Sequence, residues 1–465
     1  MWEEHSNVLD SMNPSWRSKQ GFLRPGESSI DSIQTLMGDF LRDRDSPHLL
    51  ESFNDLISDS HISGGWGEQA PFEKVVRTND DLQVLLENDH LLRHTLCIIE
   101  PADHVGLNSC GESVRASLNV AYLAQSIADC DSILIPLWDI DDIDKSLLLR
   151  VLSRSLAIII EGGHPTVRDS STFKDLKWSL VELQCLCEEL ILSRQSRTPP
   201  VVFICLGHQL AAQAHVRLIQ KATAEIQKTY LDIFKEETYL AKSLIDTCND
   251  ICKLGEALAI VKDENNVIAC GWRDPQFAVG INEIPEAGHC ELMHYGNART
   301  HAREDLSELL ITHAVSSEEY DGIIENSISY EKNLNIVMFH TDEVNEEAIL
   351  FANWAYRKLR NSLVPSRKII SVSPLAWLLK LPSSIEILCS TTVQGKLCTE
   401  TAATCISYLD FETKNVRRSF SCQFHPELLD DLREFSKSGL PEYCSLKQDD
   451  GVRLLVRILY EAIKE

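Results

Sequence analysis

Four short apolar runs, separated by stretches with helical spacing, constrain this chain most. Thr95-Leu96-Cys97-Ile98-Ile99, Ser132-Ile133-Leu134-Ile135-Pro136-Leu137, Leu156-Ala157-Ile158-Ile159-Ile160 and Val201-Val202-Phe203-Ile204 are too short for helices and rich in β-branched residues. Between them, Ser113 to Ile127, Asp144 to Leu152 and Asp175 to Ser193 place apolar residues at helical intervals. Strands that alternate with helices are joined by right-handed crossovers, which build a parallel sheet covered on both faces. The expected fold class is therefore α/β: a mostly parallel sheet with helices on both faces, plus helical additions. In such sheets ligands bind beyond the carboxyl ends of the strands.

Cys205 stands at one such end. The run Val201 to Ile204 stops there, and Leu206 to Gln220 continues as a helix with Leu210, Ala211, Ala214, Leu218 and Ile219 on its apolar side. Strand, cysteine, helix is the layout of a nucleophile elbow, in which a sharp turn lifts the side chain off the sheet edge. The free N–H groups and positive dipole of the helix start favour a thiolate and a bound oxyanion. At another strand end, Glu161-Gly162-Gly163-His164-Pro165 turns tightly and bares backbone N–H groups. A last run, Ser419 to Phe424, ends at His425-Pro426-Glu427. A histidine there can meet the cysteine while the carboxylate holds its other ring nitrogen. Cysteine, histidine and glutamate are then nucleophile, general base and orienter for acyl transfer through a thioester.

The totals narrow the setting. The chain has 465 residues and a formal net charge of −26, a field that repels nucleic acid and anionic membranes. Its 15 cysteines are scattered, odd in number and free of any CxxC pair, which suits a reducing compartment. No apolar run reaches the length of a membrane span. The acidic start, Met1-Trp2-Glu3-Glu4-His5, has neither signal-peptide nor transit-peptide character, so the cytosol is the expected location.

The remaining stretches are additions. Residues 1–90 carry 17 Asp/Glu against 7 Lys/Arg, with helices expected at 31–41, 46–57 and 79–92. From Lys221 to Leu258 the helical pattern is too long for one ordinary helix, which predicts two. Val267 to Ile284 reads as short strands and turns, and 305–311 and 317–328 as helices. His289-Cys290-Glu291 with His294 and His301 fits no zinc spacing, so no metal is expected. Leu334 to Phe339, Lys368 to Val372, Ile385 to Ser390 and Thr404 to Leu409 read as strands, Glu346 to Leu363 as a helix, and 428–437 and 451–464 as closing helices.

Phe203-Ile204-Cys205-Leu206-Gly207-His208-Gln209, taken with Gln423-Phe424-His425-Pro426-Glu427, resembles the class I (triad) glutamine amidotransferase family. Gly162-Gly163-His164-Pro165 is similar to that family's glycine-glycine-proline oxyanion turn, with a histidine inserted. His340-Thr341-Asp342-Glu343-Val344 is similar to its histidine-x-aspartate-x-valine strand end, and Leu381-Pro382 with Ile385 to Ser390 to the stretch before the final strands. The five stand in family order and cover about 94–220 and 334–437. The resemblance implies a flavodoxin-like sheet in a domain spanning 94–465. It leaves an acidic helical extension at 1–93 and an insertion at about 221–333.

The resemblance also implies roles. Cys205 is nucleophile, His425 base and Glu427 its orienter. The oxyanion donors are the backbone N–H groups of Leu206 and of Gly163, in the Gly162-Gly163 turn, and Gln209 contacts the glutaminyl substrate. No cofactor is implied. Two departures stand out. Phe203 occupies a position where the family has glycine, and the loop that grips substrate is not recognisable after the elbow helix, where Gly280-Ile281-Asn282 and Tyr295-Gly296-Asn297 are the candidates for it. The implied activity is release of ammonia from the glutamine side-chain amide. The chain has no P-loop and no pyrophosphatase loop, so an ammonia-accepting synthetase would be a separate subunit. The alternatives are a γ-glutamyl peptidase or hydrolase on the same scaffold, and a non-catalytic binding or scaffold protein.

Overall fold

A computed structural model describes residues 72–102, 105–107, 113–117, 120–121, 131–140, 142–194, 199–233, 238–258, 260–262, 267–269, 272–274, 277–294, 333–365, 367–371, 373–393, 396–409 and 415–425. The helices expected at 31–41, 46–57, 305–311, 317–328, 428–437 and 451–464 lie outside them.

The first elements are β1 (Phe72–Val75), α1 (Asn79–Glu87), α2 (Asp89–Leu92), β2 (Thr95–Glu100), β3 (Val105–Leu107), β4 (Ser113–Arg115) and β5 (Asp131–Pro136). Then come α3 (Lys145–Leu152), β6 (Ala157–Ile160), a 3-10 turn at Ser170–Phe173, α4 (Leu180–Ser193), β7 (Val201–Ile204), α5 (Leu206–Ile233) and α6 (Thr238–Ala257). The second half contains β8 (Ile260–Lys262), β9 (Val267–Ala269), β10 (Val279–His294), β11 (Asn333–Val344), α7 (Glu346–Leu363), α8 (Arg367–Ile370) and a 3-10 stretch at Pro374–Lys380. It ends with β12 (Ser384–Val393), β13 (Lys396–Leu409) and β14 (Val416–Cys422).

One ten-stranded sheet organises these elements, in the order β1-β5-β2-β6-β7-β14-β13-β12-β10-β11. From β1 to β14 every neighbour is parallel. From β14 to β11 every neighbour is antiparallel. The class is α/β, with the parallel half where the four apolar runs predict it. Strands β2, β6 and β7 are buried along their whole length, as parallel strands covered on both faces must be. Cys97, Ile99, Ile158, Ile160, Val201 and Phe203 share one core cluster with the apolar sides of α1, α3, α4, α5, α6 and α7. Leu96, Ile98, Ile159, Val202 and Ile204, which alternate with them, are equally buried.

Several helix starts follow local chemistry. Asp144 caps α3 by accepting from Ser146 and Leu147 N–H, and Ser179 and Glu182 form a reciprocal capping box at the start of α4. That box starts the helix at Leu180 rather than at Asp175. Three other expectations are corrected. Ser113–Arg115, expected as the start of a helix, is extended and pairs antiparallel with the nearby β3, a local pairing that overrides helical spacing. Lys368 to Val372, expected as a strand, is mostly the short helix α8. Its few residues carry no decisive period, and the Ser373-capped 3-10 stretch follows at once. The expected third helix is broken at Asn88 into α1 and α2. The sheet itself begins at Phe72, within the stretch assigned to the N-terminal extension. Among the described residues, no helix is long and apolar enough to cross a membrane.

Candidate active site

The carboxyl ends of β6, β7 and β14 lie side by side, and each carries one of the sequence-predicted groups. Cys205 follows β7 with φ 48°, one of two non-glycine residues among those described with positive φ. Such a conformation costs on the order of 1–3 kcal/mol. It is held by two main-chain hydrogen bonds: Cys205 N donates to Cys422 O at 2.8 Å, and Gln209 N donates to Cys205 O at 3.0 Å. The first ties the elbow to the end of β14, so His425 comes three residues past the carbonyl that receives the Cys205 N–H. Cys205 is 4 % exposed and His425 2 %. Glu427 lies outside the described residues.

The Gly162-Gly163 turn meets the elbow from β6. A Cβ on Gly163 would stand 2.7 Å from Ala102 Cβ and 3.0 Å from Leu206 Cδ2, so the turn presses against the first residue of α5. The backbone of Gly163 and the start of α5 are thus neighbours. The first N–H groups of any α-helix have no acceptor within the helix. Gly162 is buried and His164 exposed. A Cβ on Gly207 would stand 2.5 Å from the Ile160 carbonyl oxygen, so only glycine lets α5 approach β6 this closely. Phe203, standing where a small residue was expected, is fully buried and registers with Ile160 and Ser421 on the flanking strands. The sheet core accommodates the ring there.

Four side chains anchor this arrangement. His208, in the first turn of α5, sits between Ser421 Oγ, 2.7 Å from Nδ1, and Thr401 O, 2.8 Å from Nε2. A carbonyl only accepts, so Nε2–H donates and Nδ1 accepts the serine hydroxyl, pinning the elbow helix across β14 to β13. Arg168, just past the Gly162-Gly163 turn, grips Asp342 near the end of β11, with Nη2 2.7 Å and Nε 3.0 Å from Oδ1. The Thr166 hydroxyl donates to the same carboxylate. From α5, Gln213 Nε2 donates to Val167 O at 3.1 Å. The turn is therefore clamped on one side by β11 and on the other by the elbow helix.

Gln209, expected to face substrate, is 4 % exposed. Its Nε2 lies 3.4 Å from Asp342 O and 3.3 Å from Gln423 Oε1. Gln423 Nε2 in turn reaches Cys205 Sγ at 3.6 Å. The roles of Gln423, Asp342, Arg168 and His208 are not visible in the sequence. Gln423, His208 and Asp342 fall inside the quoted motifs, and their position in those motifs is the only signal that could have singled them out.

The His289, Cys290, Glu291, His294 and His301 group falls on residues whose side chains are not described. Among the described residues, no group of three or more His, Cys, Asp or Glu side chains could hold a metal. In comparisons with known proteins, no family model matches the chain and no curated sequence matches it.

Proposed function

We propose that this chain is a cysteine-nucleophile amidohydrolase of the class I glutamine amidotransferase type, releasing ammonia from the glutamine side-chain amide. The observation that carries the reading is the positive φ of Cys205 at the β7–α5 junction. A buried structural cysteine has no need of a strained backbone, whereas a nucleophile lifted off a sheet edge does. A second support is strand order. Taken in chain order, β2, β5, β6, β7 and β14 stand in space as 2-1-3-4-5, the flavodoxin-like arrangement, with β1 added outside β5.

In this reading the Cys205 thiolate attacks the side-chain amide carbon. The tetrahedral oxyanion is met by the Leu206 and Gly163 N–H groups. His425, having taken the thiol proton, gives it to the leaving nitrogen as the C–N bond breaks. Ammonia departs and a γ-glutamyl thioester remains. Water, deprotonated by His425, then attacks the thioester and releases glutamate. Glu427 orients the ring. An ammonia-accepting synthetase would be a separate subunit.

The internal hydrogen bonds of Gln209 favour a second reading, hydrolysis of γ-glutamyl amides of larger compounds. With Gln209 committed inside the protein, free glutamine loses one gripping group that a larger conjugate can replace with its own contacts. The test is release of glutamate and of ammonia or amine from glutamine and from a small γ-glutamyl panel, comparing wild type with Cys205→Ala. Turnover lost in the variant supports the reading, and the preferred substrate chooses between its two forms. Equal turnover by wild type and variant sinks both.

A further inference from the structure

The polar contacts beneath the elbow run in one direction. Asp342 offers a main-chain carbonyl, which can only accept, so Gln209 must turn its amide nitrogen toward it. The second N–H of that nitrogen goes to Gln423 Oε1. With its oxygen engaged there, Gln423 presents its own nitrogen to Cys205 Sγ, 3.6 Å away. The oxygen and nitrogen of such amides are told apart only by their hydrogen-bond partners, and here the fixed carbonyl sets the sense of both. Gln423 is fully buried, and Gln209 and Cys205 are 4 % exposed, so little water competes for these contacts.

We propose that Gln423 is a catalytic residue of the Cys205 site: its amide N–H donates to the sulfur and favours thiolate over thiol, and Gln209 holds it in that sense. The inference rests on the reading of Cys205 as nucleophile, but its test needs no turnover. A donor aimed at the charged form of a group favours that form. When the S–H bond breaks, the electron pair stays on sulfur and the proton passes to His425 or to water. The donor makes the thiolate more abundant and individually somewhat less nucleophilic, so the gain falls at pH values where little thiolate would otherwise exist. Among the titratable groups on the elements around the elbow are Cys422 at the end of β14, His425 just past it, His208 of α5, Glu161 following β6, and Asp342 with its Arg168. None is altered in the variants below, so a difference between variants isolates the amide.

The experiment measures the rate of Cys205 alkylation by iodoacetamide from pH 5 to 10, with the label located by peptide mass. Wild type, Gln423→Met and Gln423→Glu are compared. Methionine keeps most of the volume and removes the donor, and glutamate keeps the shape and replaces the donor with an acceptor. The midpoint is expected to rise by about one pH unit in Gln423→Met and further in Gln423→Glu, with about tenfold slower labelling near pH 6. Gln209→Leu, which leaves Gln423 in place but frees it to rotate, is the check should the first two fold poorly, and is expected to shift the midpoint in the same direction by less. Coincident midpoints, or no pH-dependent labelling of wild-type Cys205, overturn the proposal. A shifted midpoint in a protein that hydrolyses no glutamine keeps it while removing the glutaminase reading. Turnover with coincident midpoints does the reverse.

Discussion

Gly207 and His215 show how single residues set the behaviour of the elbow helix. A methyl group on Gly207 would meet a backbone oxygen, which cannot swing aside as a side chain can. Gly207→Ala is expected to cost about 1–3 kcal/mol, read as a lower urea midpoint, because α5 must back away from β6. It should also slow turnover, since that movement carries Leu206 away from Gly163. An unchanged midpoint would mean that the close approach is not needed. His215, two turns along α5, is buried with Nδ1 3.0 Å from the Tyr356 hydroxyl. Burial, with a smaller contribution from His208, lowers its pKa from the ordinary histidine value of 6.5 to about 3. The folded state keeps it neutral while the unfolded chain takes up a proton, so its contribution is full above about pH 6.5 and is lost as pH falls toward 3. Between those values stability should fall by up to about 1.4 kcal/mol per pH unit on its account. Urea midpoints of His215→Gln should therefore vary less between pH 7.5 and 5 than those of wild type. Parallel pH profiles would contradict this.

At the scale of elements, the Gly162-Gly163 turn depends on the clamp from Arg168 to Asp342. The Asp342 side chain is 5 % exposed and that of Arg168 19 %, so removing the guanidinium leaves a buried carboxylate served by fewer donors. Arg168→Ala is expected to cost about 1–3 kcal/mol. It should lower kcat more than it raises KM, since the loosened turn carries the Gly163 N–H proposed as oxyanion donor; a kcat unchanged from wild type would separate the clamp from the chemistry. The elements most legible in the sequence were those with an unambiguous apolar signal. Strands β2, β5, β6 and β7 are short apolar runs buried on both faces, and their ends place Cys205 and Gly163. Less legible were elements whose form depends on a partner strand. The mixed run Phe72-Glu73-Lys74-Val75 becomes a strand only by pairing with β5 at the sheet edge. Ser113–Arg115 pairs with the nearby β3, a local partner that its own helical spacing does not announce. The site followed the same division. The positions of Cys205 at a strand end and of the Gly162-Gly163 turn beside it could be read from local motifs, whereas the contacts of Asp342 with Arg168 and of Gln209 with Gln423 join residues far apart in sequence.

For the whole molecule, the parallel half of the sheet does not begin at His94. Strand β1 pairs with β5, and α1, with Leu82, Leu85 and Leu86 buried, joins the same core cluster. Each such side chain contributes roughly 1.5–3 kcal/mol on burial, and a whole domain is stable by only about 5–15 kcal/mol. A chain starting at His94 is therefore expected to be far less stable than the full chain or insoluble. Equal urea midpoints for the two would show that the sheet does not depend on its outer edge. The antiparallel half, β13 through β11, brings Thr401 to His208 and Asp342 to Arg168. The site is thus built at the seam between the two halves. The measurement that tests the central claim most directly is treatment of the native protein with a glutamine analogue carrying an electrophilic ketone in place of the side-chain amide, followed by peptide mass mapping. The expected result is one adduct, on Cys205, suppressed by excess glutamine or γ-glutamyl substrate and absent in Cys205→Ala, although the chain has fourteen other cysteines. Labelling spread over those cysteines, or none at Cys205, would contradict the assignment of Cys205 as the nucleophile.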